Sequence, residues 1–377
     1  MALSKLRILV TGAKGFIGKN LVVRLAECSD VSVIPFVRGD DAARLPQLVA
    51  AVDAVIHLAG ENRPTDESAF EQVNAGLTAA LCEAIKKEIS ASGRHVPLVL
   101  ASSTQAERDN AYGRSKLAGE MAVDALAAST ANPCVTFRLP GVFGKWCKPD
   151  YNSVVATFCH RLARGLPIQI NDPDATLRLV YVDDVVTDLM GALVAAAPGL
   201  VRRQVSPEYT ITLGTLAEQI RSFENCRTSL LSERVGTGLV RALYSTYVSY
   251  LPTERFFYEV PKYGDPRGVF VEMLKTQDSG QFSYFTAHPG ITRGGHYHHT
   301  KTEKFLVIKG QALFRFRHLM TDEVVELQTN GVAPTVVDTI PGWSHDITNI
   351  GDEEMVVMLW ANENFDRQKP DTVASKV

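Results

Sequence analysis

Two rhythms of apolar residues divide this chain. Up to about residue 248, short apolar runs alternate with stretches of helical period; beyond it the runs are all of strand length and separated by turn residues. The runs Leu6–Val10, Val31–Val37, Ala54–Gly60 and Val96–Leu100 predict buried strands, and 19–27 and 69–87 predict helices between them. Near-continuous apolar strands alternating with amphipathic helices are the pattern of a parallel sheet covered on both faces. Further along, 153–164 reads as a helix, 177–185 as a strand, 209–221 as a strand and helix, and 229–248 as a helix. The last part carries runs at 256–260, 269–274, 281–286, 303–309, 312–318, 324–327, 336–340 and 355–359, which predict a β-sandwich or barrel. The expected boundary is near residue 247, giving domains 1–247 and 248–377. No low-complexity linker or internal repeat separates them, so a fixed junction is expected.

Composition narrows the function classes. A chain of 377 residues has room for two or three cores. Its net charge of -3 and lack of Lys/Arg blocks argue against a nucleic-acid partner. No apolar run is long enough to span a bilayer, and Met1-Ala2-Leu3-Ser4-Lys5 leads into a strand without a signal-peptide pattern, so a cytoplasmic location is expected. Cysteines at 28, 82, 134, 147, 159 and 226 form no Cys-x-x-Cys pair, which reads as reduced thiols. Six of the nine histidines lie in the last third, where there is no cysteine, so the two halves carry different chemistry.

The first strand runs into Thr11-Gly12-Ala13-Lys14-Gly15-Phe16-Ile17-Gly18 and then a helix. Strand, glycine turn and helix let backbone amides and a helix N-terminus meet a pyrophosphate. At the end of the second strand stands Arg38, where an NAD-selective fold commonly has an acid; a guanidinium there suits the 2′-phosphate of NADP(H). Ser102-Ser103-Thr104 ends the strand beginning at Val96, and Tyr112 and Lys116 lie four apart on one helix face. A neighbouring ammonium and the positive charge of a nicotinamide are expected to lower the phenol's pKa and make Tyr112 a proton donor. His57 alone reads as a satisfied core residue.

The Gly-x-x-Gly-x-x-Gly spacing, Tyr112-x-x-x-Lys116 and Arg138-Leu139-Pro140-Gly141-Val142-Phe143-Gly144 together resemble the extended short-chain dehydrogenase/reductases. The resemblance implies a Rossmann-type doubly wound sheet and a cofactor held by Gly12, Gly15, Phe16, Ile17, Gly18, Arg38, Leu58, Ala59 and Lys116. Asp53 resembles a segment near the adenine, and Asn74 a structural position. Tyr112, Lys116 and a hydroxyl form the implied catalytic set. Only eight residues separate Ser103 from Tyr112, fewer than usual in that family, which leaves Ser102, Ser103 and Thr104 as alternatives, with Ser103 preferred. Arg138, Phe143, Asn152 and Arg178 are the implied substrate residues, of which Arg178 reads equally well as a surface salt bridge.

In the last third, His296 and His298 share one side of a strand, and Glu303 joins them once the chain bends. With His345 they make a set suited to zinc, iron, manganese or nickel. Gly290, His296, His298, Glu303 and Gly310 match the first motif of the cupin superfamily. Pro341-Gly342, His345 and Asn349 resemble the second, with the proline one place displaced. The resemblance implies a cupin barrel with His296, His298, Glu303 and His345 as ligands. Gly264-Asp265-Pro266-Arg267-Gly268 also resembles the opening of 4-keto-hexose epimerases.

Both halves in this order resemble the bifunctional reductase/epimerases of UDP-N-acetyl-L-fucosamine biosynthesis, the CapF/WbjC/FnlB group. The resemblance implies a homodimer that binds NADPH and Zn2+. Its cupin would epimerise C-3 of UDP-2-acetamido-2,6-dideoxy-4-hexulose, and its reductase domain would then reduce the C-4 ketone. The order follows from chemistry, because reduction removes the acidity of the C-3 proton. His288, Tyr297, His299, Lys304 and Asp346 are equal candidates for handling that proton. The competing readings are a reductase whose cupin only binds, and a non-enzymatic sugar-nucleotide sensor; an intact Tyr112 and Lys116 argue against the sensor.

Overall fold

A computed structural model describes residues 5–194, 197–256, 258–299, 301–368 and 370–377. The expectations for residues 1–4, Phe257 and Thr300 lie outside them. The chain separates into two compact units, 1–220 with 242–251, and 221–241 with 252–377. It therefore passes between them three times, where one crossing near 247 is expected from sequence.

Six parallel strands form the main sheet of the first unit, in the spatial order Val31–Phe36, Leu6–Thr11, Ala54–His57, Leu98–Ser103, Cys134–Leu139, Leu200–Arg203. Alternate residues serve two cores. Ile8, Val10, Ile56 and Val99 pack into one, and Leu9, Val55, Leu98 and Leu100 into the other. This double burial is why the strands read as unbroken apolar runs. The second strand lies on one side of the first and the third on the other, so the switch point opens beyond Thr11 and His57. Asp53 corrects the reading of an adenine-side residue. It precedes its strand, pairs with Arg7 at 3.3 Å, and so lies at the opposite end of the sheet from the glycine turn.

Some boundaries also differ. The strand expected over 177–185 stops at Tyr181, and Val182–Val194 is a helix with Asp183 and Asp184 in its first turn, where carboxylates are favoured. The helix expected over 229–248 is replaced by a short strand, Leu231–Ser232, and a helix Gly238–Ser249; Leu230, at φ +60°, ends the preceding helix. Residues 258–260 are irregular.

Among the described residues the second unit has two β-sheets, the double-sheet architecture expected of a cupin. One is built on Gly268–Thr276, Gln281–Ala287, Met355–Ala361 and Glu303–Lys309, the other on Val324–Asn330, Gln311–His318, Trp343–Asn349 and Thr292–Tyr297. Phe285, Phe305 and Val357 of the first meet Phe314, Ala312 and Ile347 of the second in one core. The strand expected at His296 is Thr292–Tyr297, which stops one residue short of His298, while Trp343–Asn349 was not expected as a strand, because its polar residues interrupt the apolar alternation. All six cysteines are free thiols, and no helix among the described residues is long and apolar enough to cross a membrane.

Candidate functional site

The glycines of the first turn are required by close packing. Gly12 has φ +68°, and a Cβ there would sit 2.7 Å from the Ala59 amide nitrogen; on Gly18 it would sit 2.2 Å from the Gly12 carbonyl. The turn and the Leu58–Ala59 backbone are thus pressed together at the switch point. The helix Phe16–Ala26 starts there with no side chain capping it, an arrangement suited to a phosphate. Arg38 stands exposed on the same edge, hydrogen-bonded to Glu61.

His57 ties this turn to the helix of Tyr112. The Thr78 hydroxyl donates to the Asn74 carbonyl at 2.6 Å, so it accepts from His57 Nε2 at 2.8 Å, and His57 Nδ1 accepts from Thr11, 2.6 Å away. Thr11 in turn accepts from the Leu58 and Ala59 amides. Asn74 sits in a π-helical turn, Glu71–Gly76, and binds both backbone groups of Glu61 and the Ser115 hydroxyl, which donates to the Tyr112 carbonyl. His57 is satisfied only as a neutral ring. Burial, with help from the Lys116 charge, pushes its pKa down to about 3.

This depressed value has a stability consequence. Above pH 6.5 the ring is neutral folded or unfolded, but between 6.5 and 3 only the unfolded chain takes up its proton. The contribution is therefore full above pH 6.5 and declines as pH falls. At pH 5 the loss from His57 is about 2 kcal/mol. His57→Asn is expected to flatten the dependence of the unfolding midpoint on pH between 6.5 and 5; an equal slope in wild type and variant refutes this.

Ser103 lies beside the Tyr112 phenol, near enough to oppose the rise in its pKa. Ser102 faces the other way and donates to the buried Glu120 at 2.5 Å, and Thr104 begins a 3-10 turn to Glu107. The short Ser103–Tyr112 spacing works because that turn is compact. Asn110 caps the helix Ala111–Thr130 at the Gly113 amide, and a Cβ on Gly113 would lie 2.2 Å from the Arg108 carbonyl. Lys116 is buried one helical turn on and donates to the Ala101 carbonyl at 2.9 Å. Its pKa is pushed down to about 8 by burial, against the pull of Glu120. Burial raises the Tyr112 pKa, and Ser103 opposes this only in part. A protonated phenol at neutral pH is the form a proton donor needs.

The four expected substrate residues sit in different settings. Phe143 is fully buried with its ring 5.6 Å from that of Tyr181, a core residue rather than a pocket wall. Arg138 is held by Glu120 at 2.7 Å and Glu107 at 2.7 Å, bracing the strand against the Tyr112 helix. Asn152 is exposed in a turn. Arg178 makes a two-pronged, exposed pair with Glu208, the surface salt bridge weighed above.

In the second unit His296, His298, Glu303 and His345 come together, their ligand atoms all within 4.8 Å of one another. His296 and His345 are register partners in one sheet, and Glu303 reaches in from the other. The set fits a divalent ion on two observations. Both ring nitrogens of His345 are buried without a hydrogen-bond partner; Nε2 is 3.5 Å from Glu303 Oε2. His298 Nδ1 faces the Asp371 backbone carbonyl, which only accepts, so Nδ1 carries the proton and Nε2 turns a lone pair towards Glu303 Oε2, 3.2 Å away. In a neutral ring so held, Nε2 is the nitrogen free for an ion beside Glu303 Oε2. Burial pushes His296 down to about 4, so it is neutral at physiological pH, as a ligand must be. Burial alone would raise Glu303, but the imidazoles of His298 and His345 and the Lys301 ammonium hold it well below the usual carboxylate range.

A cavity of about 330 Å³ adjoins this cluster, walled by Phe270, Phe285, Phe305 and Phe365. Of the proton-handling candidates only Asp346 lines it, paired with Arg315 at 2.7 Å. His288 and His299 are exposed, Lys304 pairs with Asp338 at the surface, and Tyr297 packs edge-on to His299. Lys301 and Glu272 also line the cavity and were missed from sequence. The signal for Lys301 was present: two residues before Glu303, it shares that residue's side of the chain.

These two sites define the class: a dinucleotide-binding fold with a Tyr/Lys/Ser set, joined to a double-sheet β unit with a metal-ligand cluster. The chain belongs to the NAD dependent epimerase/dehydratase family, which matches residues 8–204, and residues 263–373 match the polysaccharide biosynthesis C-terminal domain. It is 55% identical over 372 residues to UDP-2-acetamido-2,6-beta-L-arabino-hexul-4-ose reductase of Pseudomonas aeruginosa, covering 99% of both chains. Capsular polysaccharide assembling protein CapF of Staphylococcus aureus has a similar solved structure, with TM-score 0.87, 39% identity, and coverage of 98% of this chain and 100% of that one. The structure of MoeE5 with UDP-glucose and NAD, at TM-score 0.54 and 21% identity over 64% of this chain and 98% of its own, shares the fold alone.

Proposed function

We propose that this chain is a bifunctional enzyme of UDP-linked 4-keto amino sugars, with residues 1–247 as reductase and 248–377 as epimerase. The observation that carries the reading is the 55% identity, along the whole chain, to a reductase of such a sugar. The Tyr112–Ser103 pair and the metal-ligand cluster lend it chemistry. The substrate is UDP-2-acetamido-2,6-dideoxy-4-hexulose, and the product UDP-2-acetamido-2,6-dideoxy-L-talose, on the route to UDP-N-acetyl-L-fucosamine for capsule or O-antigen. In the first unit Ser103 would orient the C-4 ketone and Tyr112 would give its proton to the oxygen, with bound NADPH supplying the hydride. Lys116 holds the nicotinamide ribose. In the second, His296, His298, Glu303 and His345 would hold Zn2+, which supplies Lewis acidity towards an enolisable ketone. The walls of the adjoining cavity exclude water, and its polar lining groups are where the C-3 proton is handled. A homodimer belongs to the same reading, with light scattering as the check.

Incubating the 4-keto sugar in deuterated water, with and without NADPH, tests the scheme. Deuterium is expected at C-3 without NADPH, and reduction only with it. A C-3 position that stays protiated without NADPH would leave the β unit as a binding domain and the chain as a reductase alone. Cofactor choice is tested separately. Arg38→Ala is expected to raise KM for NADPH roughly 10-fold or more, as loss of one charge-assisted contact to phosphate should, with little change for NADH. Equal effects on both cofactors would remove Arg38 from phosphate recognition.

A further inference from the structure

We propose that the C-terminal segment from Asp371 to Ser375 is a strap that finishes the metal cluster, with Asp371 and Lys301 as positioning residues. The inference rests on the metal reading above and concerns residues outside the ligand set.

Asp371 grips the ligand segment three times. Its backbone carbonyl accepts from His298 Nδ1, Oδ1 accepts from the His299 amide at 2.9 Å, and Oδ2 from the Lys301 amide at 2.8 Å. The next residues continue the hold. Val373 and Ala374 pair with Tyr297 and His296, the Ser375 amide donates to the Gly295 carbonyl at 2.9 Å, and the Ser344 hydroxyl donates to the Ser375 carbonyl at 2.5 Å. The strap thus contacts the strand of His296 and the residue before His345. Arg317 ties down its end, donating to the Lys376 carbonyl at 2.8 Å.

Each contact bears on how a ligand points. A carbonyl on Nδ1 sets the His298 tautomer and ring angle, leaving Nε2 for the ion. The carboxylate on the Lys301 amide fixes the start of the segment that turns towards Glu303. Lys301 Nζ then holds Glu303 Oε1 at 2.9 Å, and its charge lies 5.9 Å from the Phe365 ring centre. With Oε1 taken, Glu303 turns only Oε2 towards the imidazoles, so it would bind the ion through one oxygen. The last residues of the chain therefore act on metal affinity although none is a ligand.

The test uses the full-length protein, stripped of metal and titrated with Zn2+ against a fluorescent chelator. Asp371→Ala is expected to weaken Zn2+ about 10- to 100-fold, the usual effect of removing an orienting partner. Asp371→Asn, which keeps one amide acceptor, should fall between it and wild type. Lys301→Met should weaken binding through Glu303 alone and serves if Asp371→Ala does not fold. Melting provides the second readout. A positioning role shrinks the rise in midpoint that Zn2+ causes, whereas a merely structural role lowers the metal-free midpoint and leaves that rise intact. Folded Asp371→Ala or Lys301→Met with wild-type Zn2+ affinity overturns the strap. A wild-type protein that takes up no Zn2+ overturns the metal reading itself.

Discussion

Tyr112→Phe is expected to lower NADPH-dependent reduction of the ketone about 10²- to 10⁴-fold, the range a positioned proton donor contributes, while deuterium exchange at C-3 continues. The phenol is the acid that lies beside Ser103, and burial raises its pKa, so the wild-type donor is protonated at neutral pH. Phenylalanine keeps the ring that packs edge-on against Phe70 at 5.6 Å, so the helix and the cofactor crevice should survive. The pH profile gives a second check. Lys116, with its pKa near 8, loses its charge as pH rises through that value. Wild-type kcat/KM for reduction should therefore fall above about pH 8. A variant that still oxidises NADPH at wild-type rate with the keto sugar would remove Tyr112 from the chemistry.

His296→Ala is expected to show the reverse defect. It removes one of four ligands and should cost more than the roughly 100-fold in metal affinity that orienting residues account for, abolishing C-3 exchange. Reduction should persist when the sugar supplied has already been epimerised, for instance by the Tyr112→Phe protein. Mixing the two variants should then restore the complete sequence. His296 is neutral at physiological pH and faces a buried cluster, so the loss is one of a ligand, not of a surface charge. Folded variants that each lose both activities would mean that the two sites are not separable.

Much of both sites was legible because their chemistry is local in sequence. Gly12 to Gly18 form one turn, Tyr112 and Lys116 one helix face, and His296 to Glu303 one short segment, so spacing alone places those groups together. The residues whose settings were not legible are those whose partners are distant. Arg138 looks like a free guanidinium until Glu107 and Glu120 arrive from other elements. Phe143 looks like a pocket wall until Tyr181 closes over it. The Tyr112 pKa is raised by desolvation, which depends on everything packed around the ring.

By itself the sequence indicated the two fold classes, the glycine turn, the Tyr/Lys pair and the residues of the cluster, three from one short segment and His345 from its own downstream motif, because periodicity and short spacings act within a single element. Only the tertiary structure decided that Glu120, from another element, takes Ser102. It likewise brought His345 into register with His296 and set Asp371 against His298 across more than seventy residues of chain. Such pairings depend on how strands align and which groups lose water together. No local pattern of residues encodes them.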